Sequence, residues 1–238
     1  MSNNIDSTEP TLSLVTYGQL KNISEGKRCE SFVLLDNNPS LPLFAAYDGL
    51  KDMEPIFPLI PVRRTLAEML DRVSKALRKI DPALGIKVTY GYRSLSVQRR
   101  YFRQFSKQLF GHYQLSDQEI ETVHRLIAEP SVAGHPTGGA VDVTLVNSAS
   151  GKPVDTGSKL YDFNSDRILV FCPNLKREQK INRFLLRQLM LNEGFAPFDG
   201  EWWHFSYGDK EWAFYYQKDQ SLYPQIDVSE VQRLVEKV

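Results

Sequence analysis

The longest regular pattern of apolar residues in the chain lies between Val62 and Asp81. Apolar side chains recur there every three or four residues, at Leu66, Met69, Leu70, Val73, Leu77 and Ile80. This spacing places them on one face of a helix, and Asp81-Pro82 ends the pattern. The sequence therefore predicts an amphipathic helix over residues 62–80 that packs against an apolar partner.

Three other segments carry helix signals. One has apolar residues at helical spacing, at Val97, Tyr101, Phe105 and Leu109. Residues 116–119 read Ser-Asp-Gln-Glu, which is the spacing of a capping box and predicts a helix that ends before Pro130. A further helix is predicted over residues 181–192, with Gly194 as its C-terminal stop.

Alternating apolar and polar residues predict two half-buried strands. In residues 86–90 the alternation is regular, and the strand ends just before Arg93. In residues 140–145 the two faces also alternate, with Val141, Val143 and Leu145 on one face and Ala140, Asp142 and Thr144 on the other. Asp142 is therefore predicted to point away from the apolar face of its strand.

Shorter segments at 32–35, 202–207 and 212–216 are predicted as additional strands. Helices and strands are interspersed, without a repeated strand-helix-strand unit or a glycine-rich phosphate loop. The pattern therefore favours an α+β domain over a doubly wound fold. Residues 1–30 show no clear period and are predicted to form a loosely attached lead-in. The domain itself is expected to span residues 31–238.

The charges of the chain balance. Its 238 residues include 29 Lys and Arg and 29 Asp and Glu, so no overall field draws it to nucleic acid or to an anionic membrane. We expect a small, locally recognised ligand, with neither nucleic acid nor a membrane as partner. The first residues contain no basic segment followed by an apolar run, which predicts a cytoplasmic location. Cys29 and Cys172 belong to no paired motif and are interpreted as inert thiols.

Two short segments carry the residue types of a catalytic metal site. His135 and Asp142 are joined by a sequence with one proline and two glycines, a turn that can bring both side chains toward one point. Residues 201–204 read Glu-Trp-Trp-His, so Glu201 and His204 stand beside bulky rings that exclude water. Two histidines and one carboxylate make a catalytic type of zinc site with one open position, and a further carboxylate is needed to activate water.

These segments, together and in this order, resemble the motifs of a known family. HxxGxAxD at 135–142 and EWWH at 201–204 are similar to those of the zinc D-alanyl-D-alanine dipeptidases, the group known from vancomycin resistance. The resemblance runs from about residue 62 to residue 216. It implies the Hedgehog/DD-peptidase fold, a single α+β domain with a small, mainly antiparallel sheet flanked by helices. It also implies a zinc peptidase that hydrolyses D-Ala-D-Ala or related D-amino-acid dipeptides.

The family pattern assigns a role to each matching residue. It makes His135, Asp142 and His204 the ligands of one zinc ion per chain. It makes Glu201 the general base that activates the attacking water. It makes Arg93 the group that stabilises the tetrahedral intermediate.

Substrate recognition is the part of the pattern that matches less closely. Asp162 matches, with an apparent difference of one residue in length, an acidic residue near the ammonium group of the substrate. Ala133 stands where family members usually carry a serine that helps to hold the substrate. The family's usual amino-terminal motif, which walls the pocket, is not found in residues 32–49. Both departures bear on strict specificity for D-alanyl-D-alanine, and neither touches the metal ligands.

Two other functions fit the same ligand set. A D,D-carboxypeptidase or a lytic peptidase acting on peptidoglycan shares the ligands, but such enzymes usually work outside the cytoplasm. A zinc-bearing binding module without catalysis needs neither a base nor an oxyanion donor, and this chain has both, at Glu201 and Arg93. The remaining histidines, His112 and His124, are interpreted as surface or hydrogen-bonded core residues.

Overall fold

The structure is a computed structural model that describes residues 14–37 and 43–235. The helices in these residues are α1 (Tyr17–Leu20), α2 (Arg64–Ile80), α3 (Leu95–Phe110), α4 (Asp117–His124), α5 (Arg177–Asn192), α6 (Lys210–Tyr215) and α7 (Val228–Leu234). The strands are β1 (Phe32–Leu35), β2 (Leu43–Ala45), β3 (Ile60–Arg63), β4 (Leu84–Tyr90), β5 (Ala140–Asn147), β6 (Ala196–Pro197) and β7 (His204–Ser206). Short 3-10 turns lie at His135–Thr137 and Asp166–Ile168.

The main sheet has five strands in the order β2-β4-β5-β7-β6. Only the pairing of the edge strand β2 with β4 is parallel; the pairs β4-β5, β5-β7 and β6-β7 are antiparallel. Strands β1 and β3 form a separate antiparallel pair. The prediction of an α+β domain with a small, mainly antiparallel sheet and flanking helices is confirmed.

The apolar face of α2 forms much of the core. Its side chains Leu66, Leu70, Val73 and Leu77 are fully buried, together with apolar residues of β4 and β5. Full burial of such a side chain stabilises the fold by about 1.5–3 kcal/mol relative to exposure. The predicted helix is therefore confirmed over Arg64–Ile80, whereas residues 62 and 63 belong to strand β3. Ile80, at the C-terminal end of the helix, is exposed.

The described part of the predicted lead-in, residues 14–30, contacts the rest of the protein. The backbone N–H groups of Tyr17 and Gly18, at the start of α1, donate to the carboxylate of Glu121 on α4. Leu20 and Ile23 pack in a small apolar cluster with residues from the second half of the chain. Residues 1–13 lie outside the described residues, so the boundary at residue 30 stays a prediction.

Two predicted segments have different structures. The segment 212–216 was expected to be a strand, but it belongs to helix α6, which is capped by the side chain of Asp209. The aromatic residues there favour strands in general, and the cap decides for the helix. The strand predicted at 202–207 is shorter, and only His204–Ser206 pair in the sheet. No helix in the described residues has the length and apolar character that a membrane span needs.

Candidate metal centre

Two neighbouring strands bring Asp142 and His204 together. In the antiparallel pairing of β5 with β7, these two residues lie directly opposite each other. Residues in this position have Cβ atoms about 4.5–5.5 Å apart, on the same face of the sheet. The strand register therefore places a carboxylate and an imidazole side by side, as the alternation in residues 140–145 predicted for Asp142.

His135 reaches the same point from the turn that precedes β5. The turn ends at Gly138, whose φ of 73° is in the left-handed region and where a Cβ atom would lie 2.4 Å from the ring of Phe32. Arg63 holds the turn, because its Nε donates to the carbonyl oxygen of Thr137 at 2.8 Å. Glycine at 138 is thus required both by the backbone conformation and by the space available.

The three predicted ligands converge. Their ligand atoms all lie within 4.8 Å of one another. Nε2 of His135 is 3.6 Å from Oδ1 of Asp142, and Nδ1 of His204 is 3.1 Å from the same oxygen. Tetrahedral zinc with bonds of about 2.0–2.2 Å needs ligand atoms about 3.4 Å apart. The two nitrogen–oxygen separations of 3.6 and 3.1 Å are close to this value, so the donor set fits a zinc ion.

A second polar atom of each candidate ligand also has a partner. Nδ1 of His135 is 2.7 Å from the carbonyl oxygen of Gly91. The hydroxyl of Tyr161 donates to Oδ2 of Asp142 at 3.0 Å. Nε2 of His204 is 3.3 Å from Oε2 of Glu211, which lies in the first turn of α6. No motif predicts Glu211, because a carboxylate seven residues after a histidine is not a recognised ligand spacing.

The charges in the cluster shift the pKa values of its members. Burial acts to raise the pKa of Asp142, but the neighbouring imidazoles of His135 and His204 hold it well below its usual range. Burial lowers the pKa of His135. Burial also acts to lower the pKa of His204, but its contacts with Asp142 and Glu211 raise it well above the usual value. Asp142 is therefore a carboxylate, the form that binds a cation.

A cavity of about 220 Å³ opens onto the three residues. Its walls combine the polar cluster with aromatic and aliphatic side chains, among them Leu50, Tyr101, Phe105, Phe163 and Phe198. Such a mixed lining covers a small ligand with apolar surface and leaves a few polar groups to orient it. The cavity is therefore a suitable reaction site for a small substrate.

Glu201 lines this cavity beside the predicted metal ligands. Burial raises the pKa of Glu201 to about 8, and the negative charges of Asp142 and Glu211 add to this effect, while His204 and Arg93 oppose it. A cation at the neighbouring cluster favours the ionised form of a carboxyl group. A raised pKa near neutrality suits a group that accepts and then releases a proton.

Arg93 lines the same cavity and is almost fully buried. Its Nη1 donates to Oε1 of Gln98 at 2.9 Å, and its guanidinium carbon lies 4.7 Å from the centre of the Tyr90 ring. Its Nε has no hydrogen-bond partner in the described residues. A buried N–H without a partner is costly. Arg93 is therefore a buried cation in the lining of the cavity, held by Gln98 and by the ring of Tyr90.

Asp162, the predicted substrate-binding residue, does not line the cavity. Tyr161 and Phe163 line the cavity, whereas the intervening Asp162 is outside its lining. Both rings pack against Trp203, which keeps residues 161 and 163 on the cavity side. The carbonyl of Asp162 accepts a hydrogen bond from the backbone N–H of Ser165 in the following turn. The structure therefore does not bring Asp162 to the predicted metal ligands.

Ala133, His124 and His112 are the other residues that the sequence patterns singled out. Ala133 lines the cavity at the position where a serine is usual. His124 is buried, its Nδ1 accepts a hydrogen bond from the backbone N–H of Glu129, and it also lines the cavity. His112 is exposed and lies 3.4 Å from Glu119.

The sequence is similar to D-alanyl-D-alanine dipeptidases. Residues 61–225 match the family model Peptidase_M15, described as D-ala-D-ala dipeptidase. A D-alanyl-D-alanine dipeptidase of Synechocystis sp. is 28% identical over 181 residues, which cover 66% of this chain and 73% of that protein. A D-alanyl-D-alanine dipeptidase of Enterococcus faecium is 34% identical over 80 residues, which cover 34% of this chain and 39% of that protein.

Solved structures with some similarity were also found. The vancomycin resistance D,D-pentapeptidase VanY in complex with Zn(II) has a TM-score of 0.40 at 15% identity, covering 73% of this chain and 84% of that one. The LdcB LD-carboxypeptidase has a TM-score of 0.38 at 18% identity, covering 75% of this chain and 71% of that one. The family match itself spans well over half of the chain. This chain therefore belongs to the D-ala-D-ala dipeptidase family, Peptidase_M15, and is a hydrolase.

Proposed function

We propose that this protein is a zinc metallopeptidase that hydrolyses D-Ala-D-Ala or related D-amino-acid dipeptides. One observation carries the proposal: His135, Asp142 and His204 converge on one wall of a small cavity that Glu201 and Arg93 also line. This is the set of groups that metal-assisted peptide hydrolysis needs. Membership of the dipeptidase family supports a small dipeptide as substrate.

His135, Asp142 and His204 would hold one zinc ion per chain. Two imidazole nitrogens and one carboxylate oxygen leave a coordination position open, as in catalytic sites. When bound, zinc supplies a Lewis acid that polarises the scissile carbonyl and makes water more acidic.

Glu201 is the general base in this proposal. Its carboxylate takes a proton from the attacking water and then passes it to the amine that leaves. A pKa raised toward neutrality by burial makes both steps accessible, because the group is neither too weak a base nor too weak an acid. Positioned proton transfer of this kind contributes typically about 10²–10⁴-fold to the rate.

Arg93 stabilises the negative charge that develops on the carbonyl oxygen. Its guanidinium is fixed by Gln98 and by the ring of Tyr90, so little reorganisation is needed during the reaction. In a cavity with aromatic walls the attraction is stronger than in water.

The size of the cavity favours short substrates. Its volume of about 220 Å³ is below the ~300–1,000 Å³ of pockets for drug-sized ligands. A free dipeptide also presents an ammonium group close to the scissile bond, and a carboxylate is needed to recognise it. Asp162 stays a prediction for this role, without support from the lining of the cavity.

Substrate choice tests the proposal. Zinc-loaded protein is incubated with D-Ala-D-Ala, N-acetyl-D-Ala-D-Ala, L-Ala-L-Ala and a pentapeptide that ends in D-Ala-D-Ala, and kcat/KM is measured for each. We expect the free D,D-dipeptide to be hydrolysed at least about 10²-fold better than the blocked one, because the acetyl group removes the ammonium charge and adds bulk that a cavity of about 220 Å³ accommodates poorly. The Glu201→Gln protein gives the background rate.

Two results would contradict the proposal. Equal cleavage of the N-acetylated dipeptide or the pentapeptide would favour the D,D-carboxypeptidase or wall-acting peptidase. Zinc binding without hydrolysis of any of these peptides would favour a binding module without catalysis.

A further inference from the structure

His204 lies between two carboxylates. Its Nδ1 is 3.1 Å from Oδ1 of Asp142, and its Nε2 is 3.3 Å from Oε2 of Glu211. The imidazole and both carboxylates are largely buried, with side-chain exposures of 11% for His204, 2% for Asp142 and 14% for Glu211. At this burial the two contacts fix the orientation of the ring, because few alternative water partners are within reach.

The two candidate ligand histidines are organised in the same way. In each ring one nitrogen faces Oδ1 of Asp142, and the other faces an oxygen outside the cluster. For His135 that outer oxygen is the carbonyl of Gly91, which can only accept a hydrogen bond. For His204 it is a carboxylate oxygen of Glu211.

A histidine nitrogen binds a metal through its lone pair, so the proton must sit on the other nitrogen. An acceptor at that other nitrogen selects the tautomer, holds the ring in place and makes the ligand more basic. Resting on the function proposed above, we infer that Glu211 is a positioning residue: its carboxylate accepts the Nε2–H of His204 and presents Nδ1 to the zinc ion.

The fold ties Glu211 to His204 through adjacent elements. His204 begins β7 and Glu211 lies in the first turn of α6, only seven residues later. Oδ1 of Asp209 accepts hydrogen bonds from the hydroxyl of Ser206 in β7 and from the backbone N–H of Trp212 in α6, both at 2.8 Å. This shared acceptor joins the end of the strand to the start of the helix. The distance between His204 and Glu211 is therefore set by local structure.

Zinc affinity tests the inference. The dissociation constant for zinc is measured by competition with a chromophoric chelator for the parent, Glu211→Ala and Glu211→Gln proteins. Loss of an outer partner of a ligand histidine typically weakens metal binding by about 10–100-fold, and we expect this loss for Glu211→Ala. Glu211→Gln keeps an oxygen acceptor and should lie between the other two. Glu193→Gln is the matched control, since Glu193 pairs with Arg72 away from the cavity and should keep parental affinity.

The fold of each variant and its KM for the dipeptide are measured together with its zinc affinity. Circular dichroism and the melting temperature check that each variant folds, and Glu211→Gln serves if the alanine variant does not. Parental zinc affinity in both folded variants would overturn the inference. If the Glu211 variants bind zinc as tightly as the parent but have a strongly raised KM for the dipeptide, Glu211 contacts the substrate directly and the inference is overturned. A positioning role leaves the KM of zinc-saturated Glu211→Gln close to that of the parent. Failure of the parent itself to bind zinc would instead contradict the proposed function.

Discussion

Glu201 is the residue whose replacement should separate metal binding from turnover. Glu201→Gln keeps the size of the side chain and removes its basic carboxylate. We expect full zinc content, an unchanged circular dichroism spectrum and a kcat lowered by about 10²–10⁴-fold, because assistance by the base is lost while the predicted ligands are intact.

The pH profile adds a second test of Glu201. A base works only when ionised, so kcat/KM of the parent should fall as the pH drops below the pKa of Glu201 in the loaded enzyme. The residual activity of Glu201→Gln should lack this acid limb. A variant with near-parental kcat, or one that keeps the limb, removes Glu201 from the role of base.

The convergence of the predicted metal ligands could be predicted from the sequence, because it depends on local structure. Asp142 and His204 lie on neighbouring strands in direct register, and His135 is held by the turn that leads into the first of them. Short motifs therefore contain most of the geometry. The prediction for Asp162 rests on an alignment with an apparent length difference of one residue. A shift of one residue matters here, because Tyr161 and Phe163 line the cavity and Asp162 does not. Glu211 depends on how a helix follows a strand, which no motif in the sequence records.

At the scale of elements, the start of α6 contains a buried carboxyl group with one oxygen that has no hydrogen-bond partner in the described residues. Oδ1 of Asp209 caps the helix, but Oδ2 is buried and has no hydrogen-bond partner in the described residues. Burial, together with the nearby charge of Glu211, raises the pKa of Asp209 to about 7. An unfolded aspartate titrates near ~3.9, so this group costs stability as the pH rises from about 4 to about 7.

Asp209→Asn should remove that cost and keep the cap, because the amide oxygen can replace Oδ1. We expect the variant to exceed the parent in free energy of unfolding by roughly 1–3 kcal/mol at pH 8, with the difference growing between pH 4 and pH 7. Urea unfolding of both proteins in the same excess of chelator measures it.

Asp227→Asn provides the control for this measurement. Asp227 caps α7, and hydrogen bonds from Ser229 and Glu230 lower its pKa, so neutralising it should not stabilise the protein at pH 8. A difference for Asp209→Asn that does not grow with pH, or a variant less stable than the parent, contradicts the account of Asp209.

The same helix shows why some elements were harder to predict than others. The period of α2 runs over 17 residues, long enough for the apolar face to identify the helix. Helix α6 has six residues, and its aromatic side chains have strand propensity. In such a short segment one capping hydrogen bond from Asp209 outweighs composition.

At the scale of the whole molecule, contacts between distant parts of the chain cannot be predicted from the periodicity of apolar residues. The backbone N–H of Ser24 donates to Asp219 and that of Arg28 to Leu222, so part of the predicted lead-in follows a segment near the other end of the chain. The hydroxyl of Tyr223 donates to Glu30 in the same region. Irregular pairing of this kind leaves no repeat in the sequence. The apolar face of α2 and the apolar positions of β4 and β5, by contrast, predicted the core. The prediction that these strands are half-buried was wrong, because polar residues such as Thr89, Asp142 and Thr144 are buried too.

The central claim is that His135, Asp142 and His204 together hold one zinc ion. Elemental analysis of the purified parent and of the three single alanine variants tests it most directly, with circular dichroism to confirm that each protein is folded. His112→Ala is the matched control, since this exposed histidine lies outside the cluster. We predict about one zinc per chain in the parent and the control, and little zinc in each of the three variants, because a three-ligand site tolerates poorly the loss of one ligand. Full zinc content in a folded His135→Ala, Asp142→Ala or His204→Ala protein would contradict the claim.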